Sequence, residues 1–96
     1  MIFPEVSIIV CAYNAQDYIS ETLDSLITQT YVNLEILIID DASTDATPKI
    51  CRDYAAYDSR IRVTTHSENW GLANARKTGV AESKYELITF IDADDI

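Results

Sequence analysis

Four short runs of apolar residues punctuate the chain: Val6 to Val10, Leu34 to Ile39, Ile61 to Val63 (extending towards Thr65) and Leu87 to Ile91. The first, second and fourth are nearly unbroken and rich in Ile and Val. That is the pattern of strands buried on both faces, as in a parallel sheet covered by helices. The third run is shorter and alternates with polar residues, which predicts a more exposed strand.

Between these runs the period changes to that of a helix. From Asp17 to Thr28, Ile19, Leu23, Leu26 and Ile27 recur at the spacing of a single apolar stripe. From Thr47 to Ala56, Thr47 can cap a helix and Pro48 suits its first position, with Ile50, Cys51, Tyr54 and Ala55 forming the inner face. A third helix runs from Gly71 or Leu72 to Ala81, with Leu72, Ala75 and Val80 inward and Gly79 weakening its end. Strands thus alternate with helices in the order β-α-β-α-β-α-β. The fold this predicts is α/β, a Rossmann-like, mostly parallel sheet with flanking helices and right-handed crossovers. Ligands of such sheets bind at the carboxyl ends of the strands, near the point where the strand order reverses.

The chain has 96 residues, enough for one domain, and neither its composition nor any repeat suggests disorder. Sixteen acidic residues against seven Lys and Arg give a net charge of −9. This argues against nucleic acid as a partner, because such binding rests on Lys and Arg neutralising phosphates. Cys11 and Cys51 have neither metal-ligand spacing nor a CxxC arrangement, and free thiols in a reducing compartment are expected. No basic, apolar leader opens the chain, and no apolar run reaches the ~20 residues of a membrane span. A cytoplasmic setting is expected, with any membrane association supplied by residues outside this chain.

Polar residues gather just beyond the strands. After the first come Cys11-Ala12-Tyr13-Asn14, after the second Asp40-Asp41-Ala42-Ser43-Thr44-Asp45, and after the fourth Asp92-Ala93-Asp94-Asp95. Carboxylates crowded at one edge repel one another unless a cation joins them. Mg²⁺ or Mn²⁺, which prefers carboxylates and substrate phosphates, is the natural partner. The spacing of Asp92 and Asp94 puts both on the same side of an extended strand end. Bland roles compete with these readings. Asp40 to Asp45 is also good turn chemistry, with Ser43, Thr44, Asp45 or Thr47 as the cap, and Asp41 can be part of that turn. Tyr13 is either an aromatic at the core's edge or a face on which a base stacks. His66 and Trp70 read as loop residues.

Val6-Ser7-Ile8-Ile9-Val10-Cys11-Ala12-Tyr13-Asn14 resembles the opening strand and loop of family 2 glycosyltransferases of the GT-A fold. Ile38-Ile39-Asp40-Asp41-Ala42-Ser43-Thr44-Asp45-Ala46-Thr47 resembles that family's "VDDGSTDGT" segment. Asn69-Trp70-Gly71-Leu72-Ala73-Asn74-Ala75-Arg76-Lys77-Thr78-Gly79 is similar to its "NxGLxxARNxG" segment, and Phe90-Ile91-Asp92-Ala93-Asp94-Asp95 to the strand that ends in its DxD motif. The four occur in the family's order and cover essentially the whole chain.

The resemblance implies that residues 1–96 are the nucleotide-sugar-binding part of a glycosyltransferase domain, truncated just after the DxD motif. Tyr13 and Asp41 would contact the nucleobase, Asp41 accepting from a ring N–H. Asp92 would face the ribose or a metal-bound water, and Asp94 would ligate a divalent metal, Mn²⁺ or Mg²⁺, that bridges the diphosphate. Arg76 would lie near the diphosphate or brace its helix against the acidic edge. The implied donor is a nucleoside-diphosphate sugar, with a UDP-sugar favoured. The implied acceptor is a saccharide or other hydroxyl compound, and transfer would invert the anomeric carbon. The catalytic base is expected beyond residue 96, so the chain alone is expected to be inactive, and its unpaired sheet is expected to self-associate. Two departures stand out: Ala42 and Ala46 replace glycines, and alanine is strained wherever the backbone needs positive φ. Two other classes compete, a binding module without catalysis and a receiver-like α/β domain. The latter needs a Lys after a later strand, where Thr64-Thr65-His66 follow the third.

Overall fold

The computed structural model describes residues 5–28 and 33–93. The elements are β1 (Val6–Ala12), α1 (Ile19–Ile27), β2 (Leu34–Asp40), α2 (Thr47–Tyr57), β3 (Ile61–Thr65), α3 (Leu72–Glu82) and β4 (Leu87–Asp92). The four strands form one parallel sheet in the order β3-β2-β1-β4. The predicted α/β, Rossmann-like architecture is therefore the fold. The chain steps outward from β1 to β2 and β3, then crosses back to place β4 on the other side of β1. The strand order reverses between β1 and β4, and a crevice opens there at the carboxyl ends.

Alternate residues of β1 and β2 serve two cores. Ile8, Val10, Ile36 and Ile38 pack with Ile19, Leu23 and Leu26 of α1 and Cys51 of α2. Ile9, Cys11, Leu37 and Ile39 face the opposite way, towards Ala75 of α3. Each large side chain so buried contributes about 1.5–3 kcal/mol. One carboxylate interrupts the apolar run of β2: Glu35, at the end of the sheet opposite the acidic loops, accepts from Ser7 Oγ (2.8 Å), from Lys84 N–H (2.9 Å) and from the Arg62 guanidinium. Burial raises its pKa, but these donors outweigh burial and hold it below its ordinary value.

Several expectations need correction. The β4 run does not lie buried on both faces: Leu87 and Phe90 are exposed, because β4 stands at the edge of the described sheet. Helix α1 begins at Ile19 rather than Asp17, because residues 16–18 form a tight turn in which the N–H groups of Tyr18 and Ile19 both donate to Ala15 O, at 2.9 and 2.8 Å. Thr47 is not the cap of α2. Ala46 occupies that position, Asp45 Oδ1 accepts the Thr47 N–H at 2.8 Å, and the Thr47 hydroxyl accepts from Ala15 N–H at 2.8 Å. In α3, Leu72 and Val80 are exposed, and the inner face is Ala75 and Gly79. Gly79 does not end the helix, which runs on to Glu82. It lies where the helix meets β1, and a Cβ there would overlap the Ile9 side chain.

Candidate nucleotide-sugar site

The loops after β1 and β2 are laced together by side chains bonding to backbone. Asn14 N–H donates to Ser43 Oγ (2.9 Å), Thr44 N–H to Asn14 Oδ1 (2.8 Å) and Ala46 N–H to Gln16 Oε1 (3.0 Å). The Ala15–Thr47 and Gln16–Asp45 bonds continue the seam. Two positive-φ residues let the loops bend back on each other, Asn14 at +48° and Ala42 at +64°. Of the two alanines that replace glycines, only Ala42 is strained, because Ala46 has φ −81°. The polar residues of these two motifs thus position the residues beside them, Tyr13 and Asp41.

Asp41 follows β2, and its side chain is only 5% exposed. Its Oδ1 accepts from His66 Nδ1–H at 2.8 Å and from Trp70 N–H at 2.9 Å, and its Oδ2 accepts from Gly71 N–H at 2.9 Å. Burial pushes the carboxyl pKa up, but the hydrogen bonds from His66, Trp70 and Gly71 outweigh it and keep the group ionised below the usual carboxylate range. Asp40 points to the other face. Its Oδ1 accepts Ser43 N–H at 3.1 Å, while its buried Oδ2 has no partner among the described residues.

A cavity of about 420 Å³ opens where the loops after β1 and β2 meet the start of α3 and the end of β4. Tyr13, Asp41, Asn69, Gly71, Leu72 and Asp92 are among its lining residues. Tyr13 is half exposed. At the β4 side, Arg76 approaches Asp92 at 3.4 Å and lies 5.7 Å from the centre of the Phe90 ring, so it braces α3 against the strand end. Cys11, at the cavity floor, is a protonated thiol, its pKa pushed up to about 11 by burial and by Asp92, with Arg76 opposing. The turn after β4 is pinned by Thr22 of α1, whose hydroxyl donates to Ala93 O at 3.0 Å, and by Ala93 N–H to Cys11 O at 3.0 Å.

Tyr13, Asp41 and Asp92 therefore share one cavity, whereas Arg76 does not line it and, of these three, reaches only the Asp92 side chain. Asp94 lies outside the described residues. Sequence reasoning missed His66 and Trp70, which it read as plain loop residues and which hold Asp41 in place. No local signal marks them, since their role exists only where β3 and α3 meet β2. Among the described residues no three ligating side chains cluster. Asp92 is a hard oxygen donor facing the cavity, which is the ligand type that Mg²⁺ and Mn²⁺ prefer.

A parallel sheet with its polar residues at the reversal of strand order is the architecture of a nucleotide-binding α/β domain. The sequence matches Glycosyl transferase family 2 over residues 7–96, and the chain belongs to that family. This sets aside the receiver-like reading. Glycosyltransferase GlyA of Streptococcus pneumoniae serotype 4 is 43% identical over 91 residues, covering 95% of this chain and 13% of that protein. The mannosyltransferase PcManGT of Pyrobaculum calidifontis, solved with GDP-Man and Mn²⁺, superposes with a TM-score of 0.89 at 33% identity, over 97% of this chain and 28% of that one. TarS of S. aureus in complex with UDP-GlcNAc superposes with a TM-score of 0.87 at 31% identity, over 94% of this chain and 26% of that one. The chain thus spans less than a third of the length of each of these relatives.

Proposed function

We propose that this chain is the donor-binding part of a glycosyltransferase and holds a nucleoside-diphosphate sugar at the carboxyl edge of its sheet. The observation that carries this reading is the convergence of Tyr13, Asp41 and Asp92 on one cavity at the reversal of strand order. Support comes from PcManGT and TarS, which share the fold and whose structures hold GDP-Man and UDP-GlcNAc.

The two ends of the cavity suit the two ends of such a ligand. Tyr13 offers an aromatic face to the base, and ionised Asp41 offers an acceptor to a ring N–H. Asp92 marks the diphosphate end, where the Arg76 guanidinium can exchange its loose contact with Asp92 for phosphate oxygens. Asp92 and Asp94 would hold Mg²⁺ or Mn²⁺. Such an ion supplies charge to offset that of the departing diphosphate. A UDP-sugar is the donor we favour. Transfer with inversion needs a general base at the acceptor hydroxyl. We assign that base and the acceptor pocket to the part of the longer relatives outside the stretch this chain matches.

Calorimetric titration of the full-length protein with UDP, with and without Mn²⁺, tests the assignment. Binding should be much tighter with the metal, and Asp94→Asn should abolish that difference together with sugar transfer. Asp41→Ala should weaken binding by about 1–3 kcal/mol whether or not metal is present, through loss of a buried hydrogen bond. If Asp94→Asn keeps the full metal effect, Asp94 is not a ligand. If Asp41→Ala binds UDP like the parent, the base does not sit on Asp41.

A further inference from the structure

Asp41 has little acceptor capacity left. A carboxylate oxygen offers two lone-pair directions. Those of Oδ1 are taken by His66 Nδ1–H and Trp70 N–H, and one of those on Oδ2 by Gly71 N–H. The torsion that turns a carboxylate about its last bond is broad and two-fold, so only its partners decide which oxygen faces the cavity. Two of those partners are backbone groups in the loop before α3. The third, His66, is the only side chain among them.

His66 is held from every side. Its backbone N–H donates to Asp40 O at 2.9 Å, its ring lies on Trp70 with centroids 4.3 Å apart, and its Nε2 shares a 2.8 Å hydrogen bond with the Thr78 hydroxyl of α3. It is 5% exposed and does not line the cavity. It therefore has no direct access to a ligand and can act on one only through its neighbours, first of all Asp41. The ring also sits under Trp70, whose neighbours Asn69 and Gly71 do line the cavity.

We propose that His66, braced by Thr78, is a positioning residue that fixes the Asp41 carboxylate so that its one remaining acceptor direction meets the ring N–H of the bound base. This rests on the reading of Asp41 as the base contact. Without His66, Oδ1 regains a free lone pair, the carboxylate can turn, and a base lacking the N–H is no longer disfavoured to the same degree.

The test measures the affinity of the full-length protein for UDP and GDP, each against its analogue methylated at the ring N–H (N3 of uracil, N1 of guanine). The parent should prefer one unmodified nucleotide over its methylated form by about tenfold or more, the size of one lost hydrogen bond to a charged group. His66→Ala should reduce that ratio to within about twofold of unity. His66→Asn, whose amide can donate where Nδ1–H does, should restore most of it, and Thr78→Val should give an intermediate ratio. Thermal unfolding of each variant separates this from loss of the folded state. Should His66→Ala fail to fold, His66→Asn and Thr78→Val carry the test: a ratio like the parent's in His66→Asn and a lowered one in Thr78→Val support the proposal. A parent-like ratio in folded His66→Ala, or in Thr78→Val, overturns the positioning role while leaving Asp41 as the base contact. A parent that binds neither nucleotide, or does not discriminate the methylated forms, overturns the reading of Asp41 itself.

Discussion

At the scale of the residue, the acidic loop after β2 divides its work among neighbours. Asp40 turns inward and ties the loop at Ser43, Asp41 faces the cavity, and Asp45 fastens both Gln16 and Thr47. The turn chemistry and the chemistry of the site are therefore not rivals, as they look in the sequence, but fall on different residues of one segment. The cost of this geometry falls on Ala42, at φ +64°. A left-handed conformation costs an L-residue roughly 1–2 kcal/mol, partly offset by the greater entropy that glycine loses on folding. Ala42→Gly should therefore raise stability by about 0.5–1 kcal/mol, seen as a higher denaturant midpoint at unchanged slope. The same change at Ala46, which needs no positive φ, should not stabilise. The departure from glycine is visible in the sequence, but which of the two alanines is strained is not, because φ at each depends on how the two loops bond to one another.

At the scale of the element, helix α3 shows why a stripe of large apolar residues is an incomplete guide. The apolar pattern points Leu72 and Val80 inward, yet the helix approaches the sheet through Ala75 and Gly79. Small residues allow a close approach, and a close approach brings Arg76 to Asp92 and Thr78 to His66. Gly79→Ala should thus be destabilising although alanine is the better helix former. Its Cβ would meet Ile9 in a packed interior, at a cost of about 1–3 kcal/mol. Equilibrium unfolding checks this, and a stability equal to or above the parent's would show that α3 can retreat from β1 at no cost. Helices α1 and α2 are more legible, since their stripes face the broad apolar surface of β1 and β2. Their starts are less legible, because the N-cap positions, Tyr18 and Ala46, carry no side-chain cap, and the Ala46 N–H donates across to Gln16 Oε1 in the other loop.

At the scale of the whole molecule, the described sheet is covered unevenly. Strand β2 is buried throughout, whereas β4, paired only to β1 among the described residues, leaves Leu87 and Phe90 open to solvent. An edge strand with exposed apolar side chains invites pairing with another copy. This 96-residue chain should therefore self-associate in a concentration-dependent way, and Phe90→Lys should shift it towards the monomer in sedimentation velocity. A strict monomer at all accessible concentrations would contradict this. The net charge of −9 opposes association, so added salt should promote it. The order of strands and helices, their parallel pairing, and the gathering of Tyr13, Asp41 and Asp92 at one edge are all legible in the amino-acid sequence. Each follows from local periodicity together with the few ways a right-handed crossover can return to a sheet. That β4 stands exposed at an edge, which face of α3 packs inward, and that His66, Trp70 and Gly71 supply the hydrogen bonds of Asp41 are settled only in the folded chain. Those outcomes depend on contacts between distant segments, 25 to 30 residues apart around Asp41 and farther apart where β4 pairs with β1 and α3 meets Ile9, for which a single chain read in order carries no periodic signal.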